Sequence, residues 1–318
     1  MRVAVTGASG LVGVNLVRAL MSEGREVRAL VHRARHGMEG ATLVEGSVLD
    51  PASLARAFDG VDQVFHLAAI VSIGGETEQM MRVNIEGPRN VAAAARAAGA
   101  RLVHMSSMVA FDLRDAPFVD ETRPRPGRSH PSYDRSKAAG EEEVRRAIAE
   151  GLDAVIVNPT GIIGPGHAQA TALNDTLLRL HRRSLPALVG GGADCVDARD
   201  VAAGAIAAGE RGRTGENYLL TGHYLTMKEL ARRYGQAAGV PVPTFAAPIW
   251  SAHLGVPFAA AWARWTKRDP LFTHAALHTL KMTPDVRRTK AETELGYRPR
   301  PIDETLRDIA AWFREQGH

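Results

Sequence analysis

Tyr133-Asp134-Arg135-Ser136-Lys137 places a phenol and an ammonium four residues apart, with Pro131 just ahead of them. Positions i and i+4 of a helix share a face. The spacing therefore predicts a helix that carries both groups side by side. A free tyrosine titrates near ~10 and is a poor acid or base at neutral pH. A lysine cation close by favours the phenolate and lowers that pKa. Upstream, Ser106-Ser107 follows the apolar run Leu102–Met105, which reads as a strand. A parallel sheet presents its functional groups at such strand ends, where a serine hydroxyl can hydrogen-bond a substrate oxygen. Tyr-x-x-x-Lys alone is commonplace on solvated helix faces; its place in the chain after a strand-end serine gives it weight.

A second group of residues sits at the very start. Thr6-Gly7-Ala8-Ser9-Gly10-Leu11-Val12-Gly13 lies between a strand pattern, Val3–Thr6, and a helix pattern, Leu11–Glu23. In such a Gly-x-x-Gly-x-x-Gly turn the first glycine permits the tight reversal. The second lets the backbone approach a pyrophosphate, and the third lets helix and strand pack closely. The helix N-terminus then faces the anion. The spacing is a variant of the usual dinucleotide fingerprint Gly-x-Gly-x-x-Gly, and its strand–turn–helix setting is what makes it specific.

The elements that hold these groups alternate along the first half. Val27–Val31, Thr42–Val44, Val64–Ala68 and Ala154–Val157 are further strand patterns, while Ala52–Phe58, Met80–Ala98 and Ser132–Glu150 read as helices. The alternation implies βαβ units, hence a parallel sheet with helices on both faces. The expected fold is α/β: a Rossmann-type doubly wound parallel sheet with a smaller, discontinuous C-terminal substrate lobe. Residues 1–160 are expected to form the dinucleotide-binding domain, with segments returning to it near 194–220. Residues 161–318 are expected to be mainly the substrate-binding lobe, ending on an amphipathic helix over Ile302–Phe313.

Composition narrows the function classes. Apolar residues are 45% and charged residues 23% of the 318, values that suit a globular chain. Lys+Arg exceeds Asp+Glu by 39 to 35, a surplus too small and too spread for a nucleic-acid surface. The single cysteine, Cys195, rules out an internal disulfide framework and a Cys-rich zinc site. No run of about 18 apolar residues is present, so no membrane span is expected. With Met1–Val5 entering a strand at once and no room for a signal peptide, the expected location is cytoplasmic.

With these residues in place, the sequence resembles the short-chain dehydrogenase/reductase family of extended type, from Met1 to about Phe313. Within it the tone is similar to dihydroflavonol-reductase-like enzymes and hopanoid-associated sugar epimerases. Further matches are His66-Leu67-Ala68-Ala69, Asn84 in Val83–Gly87, Asn158–Pro165, Val196–Ala202 and Leu295–Pro299. The resemblance implies that Tyr133 is the general acid/base, Lys137 its pKa partner and Ser107, rather than Ser106, the donor to the carbonyl oxygen. It implies a cofactor held by Gly7, Ser9, Gly10, Leu11, Val12, Gly13, Ser47, Val48, Leu67, Ala68, Ala69, Asn84, Tyr133, Lys137, Pro159 and Ile162. A homodimer through helices Met80–Ala98 and Ser132–Glu150 is common in that family. Val71, Met108, Val109 and Asn158 are expected on the substrate side, with a small carbonyl or alcohol compound as the partner.

NAD enzymes carry an acid at the end of the second strand for the ribose 2′-hydroxyl. Here Val31 holds that place, followed by His32-Arg33-Ala34-Arg35. A 2′-phosphate would take the Arg33 guanidinium, with His32 or Arg35 assisting, so NADP is expected over NAD. The Gly-Asp that often follows the third strand is here Gly46-Ser47-Val48. Three readings compete. The first is an NADPH-dependent reductase of a ketone or aldehyde. The second is a nucleotide-sugar epimerase or dehydratase with retained NAD, its diphosphate met by Arg179, Arg182, Arg183 and Arg264. The third is a non-catalytic cofactor-binding protein, a class that typically loses the Tyr or the Lys. His274 and His278 stand at i, i+4 without a further ligand and are read as packing or surface histidines, so no metal is expected. Trp250–Trp265 is read as a helix of the substrate lobe, and Asp112–His130 as a polar loop rimming the pocket.

Overall fold

The computed structural model describes residues 1–32, 38–71, 76–114, 117–167, 171–251, 280–281 and 285–318. Seven strands form one sheet: β1 (Arg2–Thr6), β2 (Glu26–Val31), β3 (Thr42–Glu45), β4 (Gln63–His66), β5 (Arg101–Met105), β6 (Ala154–Pro159) and β10 (Asn217–Leu220). Their order is β10-β6-β5-β4-β1-β2-β3, and every pair is parallel. The chain winds outward in both directions from β1, so the order reverses between β1 and β4. This is the Rossmann-type α/β fold, and such a switch point opens a crevice at the carboxyl ends of the strands.

Strand alternation sends successive side chains to opposite faces. Val3, Val5, Phe65, Val103, Val155 and Val157 pack on one face with α1 (Leu11–Ser22) and α7 (Ala198–Arg211). Ala4, Leu30, Val64, Leu102, Ala154 and Ile156 pack on the other. That face is covered by α2 (Pro51–Phe58), α4 (Gly87–Ala97) and α5 (Ser132–Ala149). A third core joins β7 (Gly161–Ile163), β9 (Gly192–Asp197) and β11 (His223–Thr226) to α6 (Ala172–His181), α8 (Met227–Ala238) and α10 (Ile302–Glu315). The remaining described elements are short: β8 (Leu188–Val189) pairs with β12 (Ala246–Ala247), and α9 (Thr289–Leu295) precedes α10. Among the described residues no helix is long and apolar enough to cross a membrane.

One helix departs from the expected course. Met80–Ala98 reads as a single helix, but the chain forms a short α3 (Glu78–Met81), a π-turn over Arg82–Glu86 and then α4. Pro88 is the physical reason: it has no N–H to give to the carbonyl four residues back and its ring crowds that carbonyl. The ladder widens instead, and Gly87 donates to Arg82 O. The carbonyl that Pro88 leaves behind belongs to Asn84, and α5 packs against it. A Cβ on Gly140 would lie 2.3 Å from Asn84 O, so only glycine fits there.

Candidate active site

The glycine turn, Ser107, Tyr133 and Lys137 lie near the carboxyl edge of the main sheet. The glycine turn follows β1. Gly7 has φ +70, and a Cβ there would stand 2.6 Å from Ala68 N. A Cβ on Gly13 would stand 2.2 Å from Gly7 O. The turn is therefore closed against the segment after β4, with no room for side chains. α1 begins at Gly10 with no side-chain cap and no acid in its first turn, which leaves its amides facing outward for an anion. Gly10 itself is exposed, Ser9 is half-buried, and Leu11, Val12 and Gly13 are buried.

Ser107 ends the segment after β5 and caps a short 3-10 turn, Met108–Ala110, its Oγ accepting from Val109 N at 3.4 Å. Its side chain is near enough to Tyr133 to favour the phenolate. Tyr133 enters from the first turn of α5 and is half-buried. Burial pushes its phenol up to about 12; Asp134 adds to the rise and the nearby Ser107 side chain opposes it. Lys137, one turn on, is 4% exposed and donates to Met105 O at 3.1 Å. Burial lowers Lys137 to about 8. The i, i+4 spacing by itself predicts that Lys137 depresses the Tyr133 pKa. In the structure desolvation governs both groups, because the ammonium is turned toward the strand carbonyl.

Beside Lys137 lie two buried histidines on neighbouring strands, His66 and His104, with ring centroids 5.3 Å apart. Thr6 Oγ1 accepts from Ala68 N at 3.3 Å and shares a hydrogen bond with His66 Nδ1 at 2.7 Å. Burial, then the Lys137 charge, holds His66 down at about 3. Burial, then His66 and Lys137, holds His104 well below the usual range. His66 Nε2, both ring nitrogens of His104 and Ser106 Oγ have no hydrogen-bond partner among the described residues.

Other predicted residues are bonded or packed within the protein. Asn84, expected beside the cofactor, is 2% exposed and its amide is committed. It accepts from Ile70 N at 2.8 Å and donates to Ile70 O at 2.9 Å and Ser136 Oγ at 3.0 Å. It is a strut between the segment after β4 and α5. Asn158, expected on the substrate side, is 0% exposed and bridges β6 to α5 and to the Ser107 turn. Strand alternation turns it to the α5 face, where it donates to Ser107 O at 3.0 Å and Glu141 Oε1 at 2.6 Å. Met108 and Val109 are likewise nearly buried, in an apolar cluster that includes Phe111, Val119 and Tyr133. Val71 is 60% exposed. Leu67, Ala68, Ala69 and Ile162 are half-buried along the crevice edge and Pro159 is buried at the end of β6. Ser47 exchanges backbone bonds with the Ser53 hydroxyl, and buried Val48 accepts from Asn90 Nδ2 at 3.1 Å.

His32 is exposed just past β2, while Arg33 and Arg35 lie outside the described residues. So do His274, His278, Arg264 and the tryptophan-bearing stretch beyond Ser251. Arg179 is ion-paired with Asp175 at 2.6 Å, and Arg182 meets His318 Nδ1 at 2.9 Å. Arg183 is exposed. The loop after Phe111 is tied down by its own charges. Asp112 pairs with Arg114 and with His130, and Arg125 pairs with Glu141. Glu141 is a residue that sequence reasoning missed, although a signal was present: it lies on the same helical stripe as Tyr133 and Lys137.

Residues 3–221 match the model of a family described as the NAD dependent epimerase/dehydratase family. The chain is 33% identical over 324 residues to the sterol demethylase protein B of Methylococcus capsulatus, covering 98% of each. It is 33% identical over 313 residues to a 4-hydroxy-2-methyl-3-oxo-4-farnesyl-3,4-dihydroquinoline-1-oxide ketoreductase of Stigmatella aurantiaca, covering 93% of this chain and 92% of that one. The crystal structure of gox2253 superposes with a TM-score of 0.84 at 35% identity, covering 99% of this chain and 98% of that one.

Proposed function

We propose, from the premise that this chain belongs to the NAD dependent epimerase/dehydratase family and is an oxidoreductase, that it reduces a ketone or aldehyde carbonyl on an apolar substrate with NADPH. The observation that carries the reading is the convergence of Ser107, after β5, with Tyr133 and Lys137, one turn apart on α5, at the sheet's carboxyl edge. The residues fit a dinucleotide: Gly7 to Gly13 leave backbone where a pyrophosphate needs it, and Leu67–Ala69, Pro159 and Ile162 line the crevice beyond. The run His32-Arg33-Ala34-Arg35 carries no acid, and its guanidinium groups suit a 2′-phosphate better than a bare ribose hydroxyl.

When bound, the nicotinamide supplies a hydride to the carbonyl carbon. Tyr133 gives its hydroxyl proton to the carbonyl oxygen, completing the alcohol and leaving a phenolate that takes its proton back from solvent. Ser107 donates to the same oxygen as charge builds there, which is where a fixed donor contributes most. Lys137 holds the cation that stabilises the phenolate. Its own pKa of about 8 keeps it charged at neutral pH. Met108, Val109 and Phe111 back Tyr133 with apolar surface, and relatives named for a sterol and for a farnesyl-bearing ketone support an apolar, lipid-like substrate. Residues 1–160, with the return near 194–220, serve the cofactor, and 161–318 mainly the substrate. The face of α4 and α5, bridged by Arg89 and Glu143 at 2.8 Å, is where we place a homodimer.

The test is cofactor binding followed by turnover of cholestanone and decanal. Exchangeable binding that favours NADPH over NADH, with NADPH oxidised only when a carbonyl compound is added, supports a reductase. One equivalent of NAD that survives purification and does not exchange would overturn it in favour of an epimerase.

A further inference from the structure

Glu141 is a carboxylate buried to 1% exposure inside the protein, and the chemistry above does not use it. Burying a charge this deeply is costly unless it is paired and hydrogen-bonded. Three donors meet it. Arg125 Nη2 lies at 2.7 Å, Asn158 Nδ2 at 2.6 Å and Asn217 Nδ2 at 3.1 Å. They come from the rim loop, from β6 and from β10, so a single carboxylate on α5 gathers three separate parts of the chain.

Each donor also holds something else. The Asn158 amide reaches Ser107 O at 3.0 Å, and Asn217 donates to Asn158 Oδ1 at 2.8 Å. Arg125 Nη1 donates to Ala110 O at 3.2 Å, and its guanidinium lies 4.4 Å from the centre of the Phe111 ring. The turn that carries Ser107 is therefore gripped at both ends, at Ser107 O and at Ala110 O. The two grips share one anchor. We propose that Glu141 is a positioning residue: through Asn158 and Arg125 it fixes the Ser107 turn against α5 and so keeps the Ser107 hydroxyl beside Tyr133. This rests on the reading of Ser107, Tyr133 and Lys137 given above.

The same charge acts along the helix. Burial lowers Lys137, and Glu141 is the group that raises it back. The other titratable groups beside Lys137 are His66 on β4 and His104 on β5, both neutral at physiological pH. Around Glu141 the remaining charge is Arg125, with Arg145 behind Asn217 at 3.1 Å from Gly215 O. Neutralising Glu141 therefore removes the one anion among the described residues that favours the Lys137 ammonium, and the ammonium is lost at lower pH.

The experiment is Glu141→Gln beside Glu141→Asp and Tyr133→Phe, assayed as NADPH oxidation with cholestanone and decanal. Glu141→Gln keeps the shape but offers an amide N–H where donors converge. Its kcat is expected to fall about 10- to 100-fold, the scale of a misplaced catalytic group, with the KM for NADPH nearly unchanged. The alkaline limb of its kcat profile is expected to move down by about one pH unit. Glu141→Asp keeps the charge but not the reach, so kcat falls while the alkaline limb stays. Amide hydrogen exchange over Ser107–Phe111 is expected to quicken in Glu141→Gln, whether or not a probe is turned over. Should Glu141→Gln not fold, Asn217→Ser removes one donor without unpairing a charge, and a several-fold loss of kcat with faster exchange at Ser107–Phe111 is expected. Wild-type exchange in that segment, or wild-type kcat and alkaline limb, would overturn the inference. An inactive Tyr133→Phe beside a normal Glu141→Gln would sink this inference alone; an active Tyr133→Phe would sink the reading beneath it.

Discussion

Two clusters of buried charge lie on opposite faces of the central sheet, and the protein treats them differently. On the α7 side, Arg199 binds Asp197 through two nitrogens at 3.0 and 2.7 Å and Asp308 at 2.7 Å. Arg300 binds Asp200 at 2.9 Å through Nε and at 2.8 Å through its backbone. Burial would raise Asp197, but its bonds to Arg199 outweigh that and hold it below the usual carboxylate range. On the α5 side, Lys137 has one carbonyl, and His66, His104 and Ser106 keep buried polar atoms without partners among the described residues. Satisfied charges fasten α7 to α10 and hold the fold. The under-satisfied set sits at the crevice, and unpaired buried groups of that kind mark functional sites more often than structural ones.

The comparison breaks most visibly at Lys137. Lys137→Met is expected to lower turnover by about 10³-fold while making the protein more stable at pH 7 by about 3 kcal/mol. The sign follows from the ammonium: burial puts its pKa near about 8 against an ordinary 10.5. The folded chain carries the full cost below pH 8, and the cost fades as pH rises toward 10.5. Chemical denaturation at pH 7 and at pH 10 checks this. A less stable variant, or an advantage that grows with pH, would contradict it.

On the paired side the opposite is expected. Arg300→Met leaves Asp200 short of its cation and should lower stability by about 2 kcal/mol, with kcat at the wild-type value. A drop in kcat in the folded variant would mean the two clusters are coupled.

The smallest effect concerns the histidines. Both are held below 6.5 in the folded state, so the unfolded chain gains protons first as pH falls. Stability should decline from about pH 6.5 downward, reaching about 1.4 kcal/mol per pH unit for each histidine. His104→Leu should remove one such contribution from the slope between pH 6 and pH 4. An unchanged slope in denaturation curves would show that His104 is charged when folded.

What the sequence made legible was what local spacing encodes. The glycine turn, the Tyr133–Lys137 pair and the strand-end serine each occupy a few consecutive residues, and the alternation of strands and helices set their common edge. The π-turn at Asn84 was hidden because Pro88 alone does not say whether a helix breaks or widens. The bridging role of Asn158 escaped because Arg125, Glu141, Asn158 and Asn217 come from four separated stretches that only the folded sheet brings together. The Lys137 environment escaped for a related reason: the i, i+4 rule shares a helix face but does not say which acceptor the ammonium turns to.

The proton donor is the point on which the chemistry turns, and Tyr133→Phe, with turnover and cofactor affinity measured side by side, isolates it. Carbonyl reduction is expected to disappear while the Kd for NADPH stays within a few-fold of wild type. A Tyr133→Phe variant that still reduces the carbonyl compound at the wild-type rate would contradict the assignment of that phenol as the acid.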